Sequence, residues 1–325
     1  MSRVVLLTTG GTISSRAGGA GTVATDDAEA VGRLGVRPGS EVQLEAHEVM
    51  RVGSYQMRLA DLRAISDAVA EQLERDDVDG VVVTHGTDTL EETAVLLDLV
   101  HDDPRPVVLT GAQRAADVPD TDGPRNLADA VDVAASPEAR DRGVLVAFAG
   151  TVLAARGTRK THTVDLAAFA NPGGALGEVI DGRVQLHHSP RRPEPLARPG
   201  AAFDDVRVDL VPAYPGSDDV LLRAAVEAGS TGIILVGTGV GNGPALLPQL
   251  IARLTRDGVV VGLSTRVANG PVLPVYGNGG GADLMAAGAI PLSDLPASQA
   301  RIALALLLSH GSDPGRVASM LADYA

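Results

Sequence analysis

Three glycine-rich turns and one lysine hold most of the reactive chemistry that this sequence can offer. Thr8-Thr9-Gly10-Gly11-Thr12-Ile13 follows a short apolar run. Its glycines let the backbone pass close to a ligand, and its hydroxyls can donate, accept or attack. Thr84-His85-Gly86-Thr87-Asp88-Thr89-Leu90-Glu91-Glu92 follows a second run and sets a hydroxyl beside a carboxylate. Gly237-Thr238-Gly239-Val240-Gly241-Asn242-Gly243-Pro244 is a third such turn, as readily a packing loop as a site. The lysine is Lys160, in Gly157-Thr158-Arg159-Lys160-Thr161-His162, and the other 26 of the 27 basic residues are arginines. Surface cations are therefore written as Arg here, and Lys160 is either a chance exception or a position that calls for an amine able to lose its proton. A lysine near a threonine can take its proton directly or through water, and an activated threonine is a nucleophile.

Local structure accounts for part of these turns. Thr89-x-x-Glu92 fits a capping box at a helix start, which leaves Thr87 and Asp88 facing the strand end. His85 is expected to pack structurally. Other chemistries lack their parts. There is no G-x-G-x-x-G, no G-K-[ST], no H-E-x-x-H and no G-x-S-x-G, and the His and acidic residues do not cluster at metal-ligand spacing.

The elements that must position these turns read as alternating strands and helices. Apolar β-branched runs at 4–7, 81–84, 107–110 and 144–147 are separated by helical spacing near 58–75, 91–101 and 124–135. After a Pro-rich, charged stretch the alternation resumes: strands 208–212, 232–236 and 258–263, with helices near 218–228, 245–256, 295–309 and 312–323. Strand, helix, strand predicts parallel sheets with helices on both faces, and ligands beyond the strands' carboxyl ends. The expected division is 1–187 for the larger N-terminal α/β domain with the catalytic threonines, 188–207 for a linker, and 208–325 for a smaller C-terminal α/β domain. Residues 14–27, rich in Gly, Ala, Ser and Thr, are expected to form a patternless lid.

Composition narrows the function. The 325 residues carry a net charge of −14, which disfavours nucleic acid as a partner. Without cysteine there is no disulfide, thiolate metal site or thiol nucleophile. No stretch approaches a membrane span or a signal-peptide core, so a cytoplasmic protein is expected.

Taken together, Thr9-Gly10-Gly11-Thr12-Ile13 and His85-Gly86-Thr87-Asp88-Thr89 resemble the two signatures of the bacterial-type L-asparaginases. Gly53-Ser54, Gly111-Ala112-x-Arg114, Asp122-Gly123-Pro124-x-Asn126-Leu127, Lys160-Thr161 and Gly239-Val240-Gly241-Asn242-Gly243 extend the match along nearly the whole chain. The resemblance implies a flavodoxin-like parallel-sheet domain followed by a smaller α/β domain. It implies hydrolysis of L-asparagine to L-aspartate and ammonia, without a cofactor or metal, by a homotetramer built from dimers. Thr12 would form the acyl-enzyme, and Thr87, Asp88 and Lys160 would relay protons, with Lys160 as the proton handler. Backbone N–H groups near Thr12 and Thr87 would hold the oxyanion, and Gly11 and Gly86 would be among the substrate-binding residues. Ser54 and Asp88 would bind the amino acid's charged ends, Ala112 would lie near the leaving amide, and Asn242 would reach a neighbouring subunit's substrate. Two positions depart from the family. The lid has no Tyr where Gly21 aligns, and Tyr55 follows Ser54 where relatives often have Gln. Tyr55, or Tyr276 of a neighbouring subunit, is expected to fill part of the missing role.

Three other functions fit the same residues. One is a glutaminase-asparaginase of broad specificity, and another is a non-catalytic amino-acid-binding relative. The last is the asparaginase-like subunit of a tRNA-dependent amidotransferase, which the acidic charge and the position of the first signature at residue 9 disfavour.

Overall fold

Alternation within the first strand shows how the larger part of the chain is built. In β1 (Arg3–Thr8), Val5 and Leu7 point to one face, Val4 and Leu6 to the other, and all four are buried. Such a strand needs apolar cover on both sides. In the computed structural model, which describes residues 2–19 and 21–324, the chain divides into two units between Arg198 and Pro199. The first unit continues with β2 (Ser15–Gly18), β3 (Gly21–Ala24), α1 (Ala28–Gly32), β4 (Gln43–Glu48), α2 (Leu59–Leu73) and β5 (Gly80–Thr84). Then come α3 (Leu90–Val100), β6 (Val107–Thr110), α4 (Gly123–Ala135), β7 (Val144–Phe148) and β8 (Thr151–Ala154). It ends with β9 (Arg159–Lys160), β10 (Phe169–Ala170), β11 (Gly177–Ile180) and β12 (Arg183–Leu186).

The Val5 and Leu7 face is covered by Ile65 and Val69 of α2 and by Leu90, Ala94 and Leu97 of α3. The Val4 and Leu6 face is covered by Val31 of α1 and by Leu127, Ala130, Val131 and Ala134 of α4. Each large aliphatic side chain removed from water this way contributes about 1.5–3 kcal/mol.

Among the described residues eight strands pair in the order β12-β11-β8-β7-β6-β5-β1-β4. The five from β7 to β4 are parallel. Counted along the chain without the β2–β3 hairpin, they stand 2-1-3-4-5, the flavodoxin order. That order reverses between β1 and β5, which opens a crevice beyond their carboxyl ends. The sheet is mostly, not wholly, parallel. Ala149 and Gly150, with φ of 50° and 79°, make a two-residue hairpin turn from β7 into β8, and β11 and β12 extend the antiparallel edge.

The second unit carries β13 (Val208–Pro212), α5 (Val220–Glu227), β14 (Gly232–Gly237), α6 (Leu247–Arg256) and β15 (Val260–Thr265). It closes with α7 (Gly281–Ala286), β16 (Ile290–Pro291), α8 (Ala297–Ser309) and α9 (Pro314–Tyr324). Its four strands are parallel and pair in chain order. Ile233 and Leu235 join α5, α6 and α7 in one core. On the opposite face α8 comes so close that a Cβ on Gly232 would lie 2.8 Å from Leu304. Part of the Pro-rich stretch is tied to the first unit. Arg192 donates to Asp98 at 3.0 Å and to the His101 carbonyl at 2.8 Å, and Leu196 N donates to the Leu99 carbonyl at 2.7 Å.

The expected patternless lid is a correction. Ala20 lies outside the described residues, and those around it form the β2–β3 hairpin. Arg16 grips Asp26 with two hydrogen bonds of 2.6 and 2.8 Å, while Thr25 N and Asp26 N both donate to the Ser14 carbonyl. This closure depends on residues ten apart, which local composition does not reveal.

Candidate active site

The carboxyl ends of β1 and β5 are stitched together before either turn begins. Thr9 donates to the Thr84 carbonyl twice, from its amide at 3.2 Å and its hydroxyl at 2.9 Å. Gly10 and Gly11 then take φ of 99° and 81°, a region that favours glycine. Close approach adds a second demand for glycine. A Cβ on Gly11 would lie 2.6 Å from Gly86 N, and one on Gly86 would lie 2.5 Å from Ser54 Oγ. The first two turns therefore meet backbone to backbone, and the buried Ser54 side chain of a third packs against Gly86.

Thr12 opens a short 3-10 turn, Thr12–Ser14, and is only half-buried. Its hydroxyl has no hydrogen-bond partner among the described residues. The neighbouring Ser14 and Ser15 hydroxyls bond instead to the Gly11 carbonyl, at 3.0 and 2.7 Å, and fix the backbone beneath it.

Thr87 is buried, and its hydroxyl both accepts and donates a hydrogen bond. Lys160 Nζ donates to Thr87 Oγ1 at 2.8 Å and to Asp88 Oδ1 at 2.9 Å. Thr87 in turn donates to Gln113 Oε1 at 3.1 Å. Lys160 is held from behind: β9 pairs with β10, and the Lys160 amide donates to Glu91 Oε2 of α3 at 2.7 Å. Lysine, threonine and aspartate thus form one hydrogen-bonded set, with the amine between the other two.

Two residues of the second turn serve structure. The capping box expected at Thr89 and Glu92 does not form. The Thr89 hydroxyl donates to the Ser54 carbonyl at 2.9 Å, so it ties the turn to its neighbour rather than to its helix. His85 is fully buried, with Nδ1 2.8 Å from the Gly86 carbonyl and Nε2 2.9 Å from Thr93 Oγ1. The carbonyl can only accept, so Nδ1 carries the proton and Nε2 accepts from Thr93. Burial lowers the His85 pKa to about 4, which keeps the ring neutral near pH 7.

The turn after β6 is braced from α4. Asp122 accepts from Gln113 N at 3.0 Å, Arg114 N at 2.9 Å and Asn126 Nδ2 at 3.0 Å. Asn126 also donates to the Gly111 carbonyl at 3.0 Å. The four-residue spacing puts Asp122 and Asn126 one above the other on the first turn of the helix, facing these amides.

Gly11, Thr12, Ser54, Tyr55, Gly86, Thr87 and Asp88 line one cleft of about 290 Å³, at the small end for small-molecule sites. Arg51, Gln56, Ser15 and Val23 line it as well. Lys160 reaches it through Thr87 and Asp88, and Ala112 is buried in the turn braced by Asp122. Asn242 lies in the second unit, where its side-chain carbonyl accepts from Gly281 N at 3.0 Å. Tyr55 and Tyr276 are both exposed, Tyr55 at 72%.

Comparison with known proteins agrees over almost the full length. Residues 3–192 match the asparaginase N-terminal domain family, and residues 207–321 match the glutaminase/asparaginase C-terminal domain family. This chain belongs to the asparaginase family. It is 39% identical to a probable L-asparaginase from Deinococcus radiodurans, over 96% of this chain and 94% of that one. It is 33% identical to a glutaminase-asparaginase from Pseudomonas fluorescens, over 83% of this chain and 77% of that protein. Among solved structures, a probable cytoplasmic L-asparaginase from Campylobacter jejuni matches with a TM-score of 0.85 and 31% identity, over 99% of each chain. As a member of the asparaginase family the protein is an amidohydrolase.

Four contributors to this asparaginase-family site went unnoticed in the sequence: Gln113, Glu91, Arg51 and Gln56. Gln113 occupies the free position of Gly111-Ala112-x-Arg114, and nothing in one sequence signals a contact with Thr87. Asp122 and Asn126 stood in a matching motif with no role attached. Their spacing at a helix start was the available signal. No helix among the described residues is long and apolar enough to cross a membrane.

Proposed function

We propose that this chain is an L-asparaginase, hydrolysing L-asparagine to L-aspartate and ammonia through Thr12. The observation that carries the proposal is Lys160 Nζ bridging Thr87 Oγ1 and Asp88 Oδ1 beside a cleft that also holds Thr12. In this reading Thr12 Oγ1 attacks the side-chain amide carbon, and its proton is passed on to the amide nitrogen. Backbone N–H groups of the touching Gly11 and Gly86 turns stabilise the oxyanion. The amide nitrogen takes a proton and leaves as ammonia, and an aspartyl ester remains on Thr12. Thr87 and Lys160 then take a proton from water as it attacks the ester. Aspartate leaves as Thr12 Oγ1 takes back the proton held by the Thr87–Lys160 pair, which restores its hydroxyl.

Ser54 and Asp88 hold the carboxylate and ammonium ends of the substrate, Tyr55 covers the cleft, and the Ala112 carbonyl lies by the leaving amide. A homotetramer built from dimers lets Asn242 come from a neighbouring subunit. The reaction needs no cofactor. The cytoplasm is the proposed location, supported by the name of the Campylobacter neighbour. Ammonia release by the purified protein from L-asparagine, L-glutamine and D-asparagine is the test. Release from L-asparagine is expected, and none from any of the three would refute the proposal. Comparable rates with L-glutamine would favour broad specificity, to which the Pseudomonas relative points.

A further inference from the structure

Gln113 is set so that both ends of its side-chain amide are used. Nε2 lies 2.9 Å from the Asp165 carbonyl and 3.5 Å from the Thr163 carbonyl. Carbonyls can only accept, so the NH2 end faces 163–165 and Oε1 faces Thr87. An amide oxygen cannot donate either, so the single proton of the Thr87 hydroxyl goes to Gln113, 3.1 Å away. The lone pairs of Thr87 Oγ1 are thereby turned to Lys160 Nζ at 2.8 Å, an arrangement that suits an ammonium donor.

We infer that Gln113 is a positioning residue: it fixes the direction of the Thr87 hydroxyl proton and thereby the pH at which the Thr87–Lys160 pair works. The inference rests on reading that pair as the proton relay. For the relay to run, the amine must be neutral and the Thr87 proton must swing from Gln113 Oε1 towards Nζ. The proton then passes from Thr87 Oγ1 to Nζ while Oγ1 takes one from the attacking water. The amine becomes ammonium and Thr87 stays neutral. Gln113 competes with the amine for this proton.

Other groups also act on Lys160. Asp88 Oδ1 is 2.9 Å from Nζ, and Glu91 of α3 accepts from the Lys160 backbone. Arg159 and His162 flank it in sequence, with Asp165 just beyond. Asp88, Glu91, Arg159 and His162 are shared by the wild type and by variants at position 113 and cancel when the enzymes are compared. Any displacement of Asp165 acts in the same direction in all of these variants, because each loses the amide NH2 that holds it.

The experiment is the pH dependence of kcat for L-asparagine in the full-length wild type, Gln113→Leu, Gln113→Met and Gln113→Glu. Removing the acceptor leaves the Thr87 proton free for a neutral amine. The midpoint of the limb on which activity rises with pH should then fall by about half to one unit in the Leu and Met enzymes. A carboxylate accepts roughly twice as strongly as a neutral oxygen, so Gln113→Glu should raise that midpoint by about one unit. Gln113→Met keeps an unbranched chain of similar length and stands in if the Leu enzyme does not fold. Coincident midpoints, or shifts of one sign in all variants, would overturn the inference and reduce Gln113 to an anchor for 163–165. Wild-type turnover in Lys160→Arg is a different result, since it would overturn the relay itself.

Discussion

The turns after β1 and β5 each bring a threonine into one cleft, and they treat the two hydroxyls in opposite ways. Thr87 is buried and held from two sides, with Lys160 donating to it and Gln113 accepting from it. Thr12 is half-buried and has no side-chain partner among the described residues. Both turns have rigid backbones, because Gly11 and Gly86 touch and Thr9 stitches the two strands together. The difference lies only in the last few atoms. One hydroxyl is wired in advance to an amine and an amide, and the other is left without a side-chain partner, which is what the proposed role of attacking group requires.

The sharpest way to break this comparison is to ask which hydroxyl carries the acyl group. Thr12→Ala should lose roughly 10⁴-fold or more in kcat, in line with removal of a covalent nucleophile. Rapid quenching of the wild type with L-asparagine, followed by peptide mass analysis, should find the aspartyl ester on Thr12. An ester on Thr87 would reverse the assignment.

Lys160→Arg should cost about 10²–10⁴-fold in kcat, the usual range for a lost general base, with little change in KM. Arginine can keep the ion pair with Asp88 but cannot lose its proton. The split between kcat and KM therefore separates proton handling from substrate binding. A variant with normal kcat would make the wiring of Thr87 a structural matter only.

The strongly periodic parts of this fold were legible in the sequence. The strand at Val107–Thr110 and four helices of the second unit, α5, α6, α8 and α9, lie within a few residues of where periodicity put them, because each buries an apolar face. The six-residue α7 is too short to show a period and was missed. β4 was missed because Gln43–Glu48 is an edge strand with no fully buried residue and reads as a charged loop. The β2–β3 hairpin was missed because Arg16 and Asp26 close it across a tract with no periodicity. In the site, Thr12, Thr87, Asp88 and Lys160 were legible by residue type and turn. Gln113 and Glu91 were not, since their value lies in contacts 26 and 69 residues away.

The His85 ring belongs to the Thr87 turn and has no counterpart under Thr12, so acid should weaken the two turns unequally. Its pKa is about 4 in the folded protein, against about 6.5 when unfolded. Between these values the unfolded chain binds the extra proton, so stability is intact above about pH 6.5 and falls as pH drops towards 4. The loss should be about 2 kcal/mol between pH 7 and pH 5. His101, also pushed down by burial, adds a loss to both proteins, so denaturant unfolding at the two pH values should show the wild type losing about 2 kcal/mol more than His85→Gln. Equal losses in both proteins would mean that the ring is not held neutral.

The smallest expected effect concerns how the open hydroxyl is primed. The lid hairpin carries no tyrosine, and Tyr55 is the only one of the four tyrosines in the sequence found among the residues lining the cleft with Thr12. Its ring lies against Gly53, where a Cβ would come within 2.7 Å of it, so the ring is placed although its face is open. At 72% exposure the phenol competes with water for any hydrogen bond it makes. Tyr55→Phe should therefore lower kcat by no more than about tenfold, the equivalent of one ordinary hydrogen bond. If Tyr55→Phe and Tyr276→Phe both turn over like the wild type, no phenol assists Thr12. The contrast between the turns would then be complete, one hydroxyl prepared by its neighbours and the other prepared only by the substrate that it attacks.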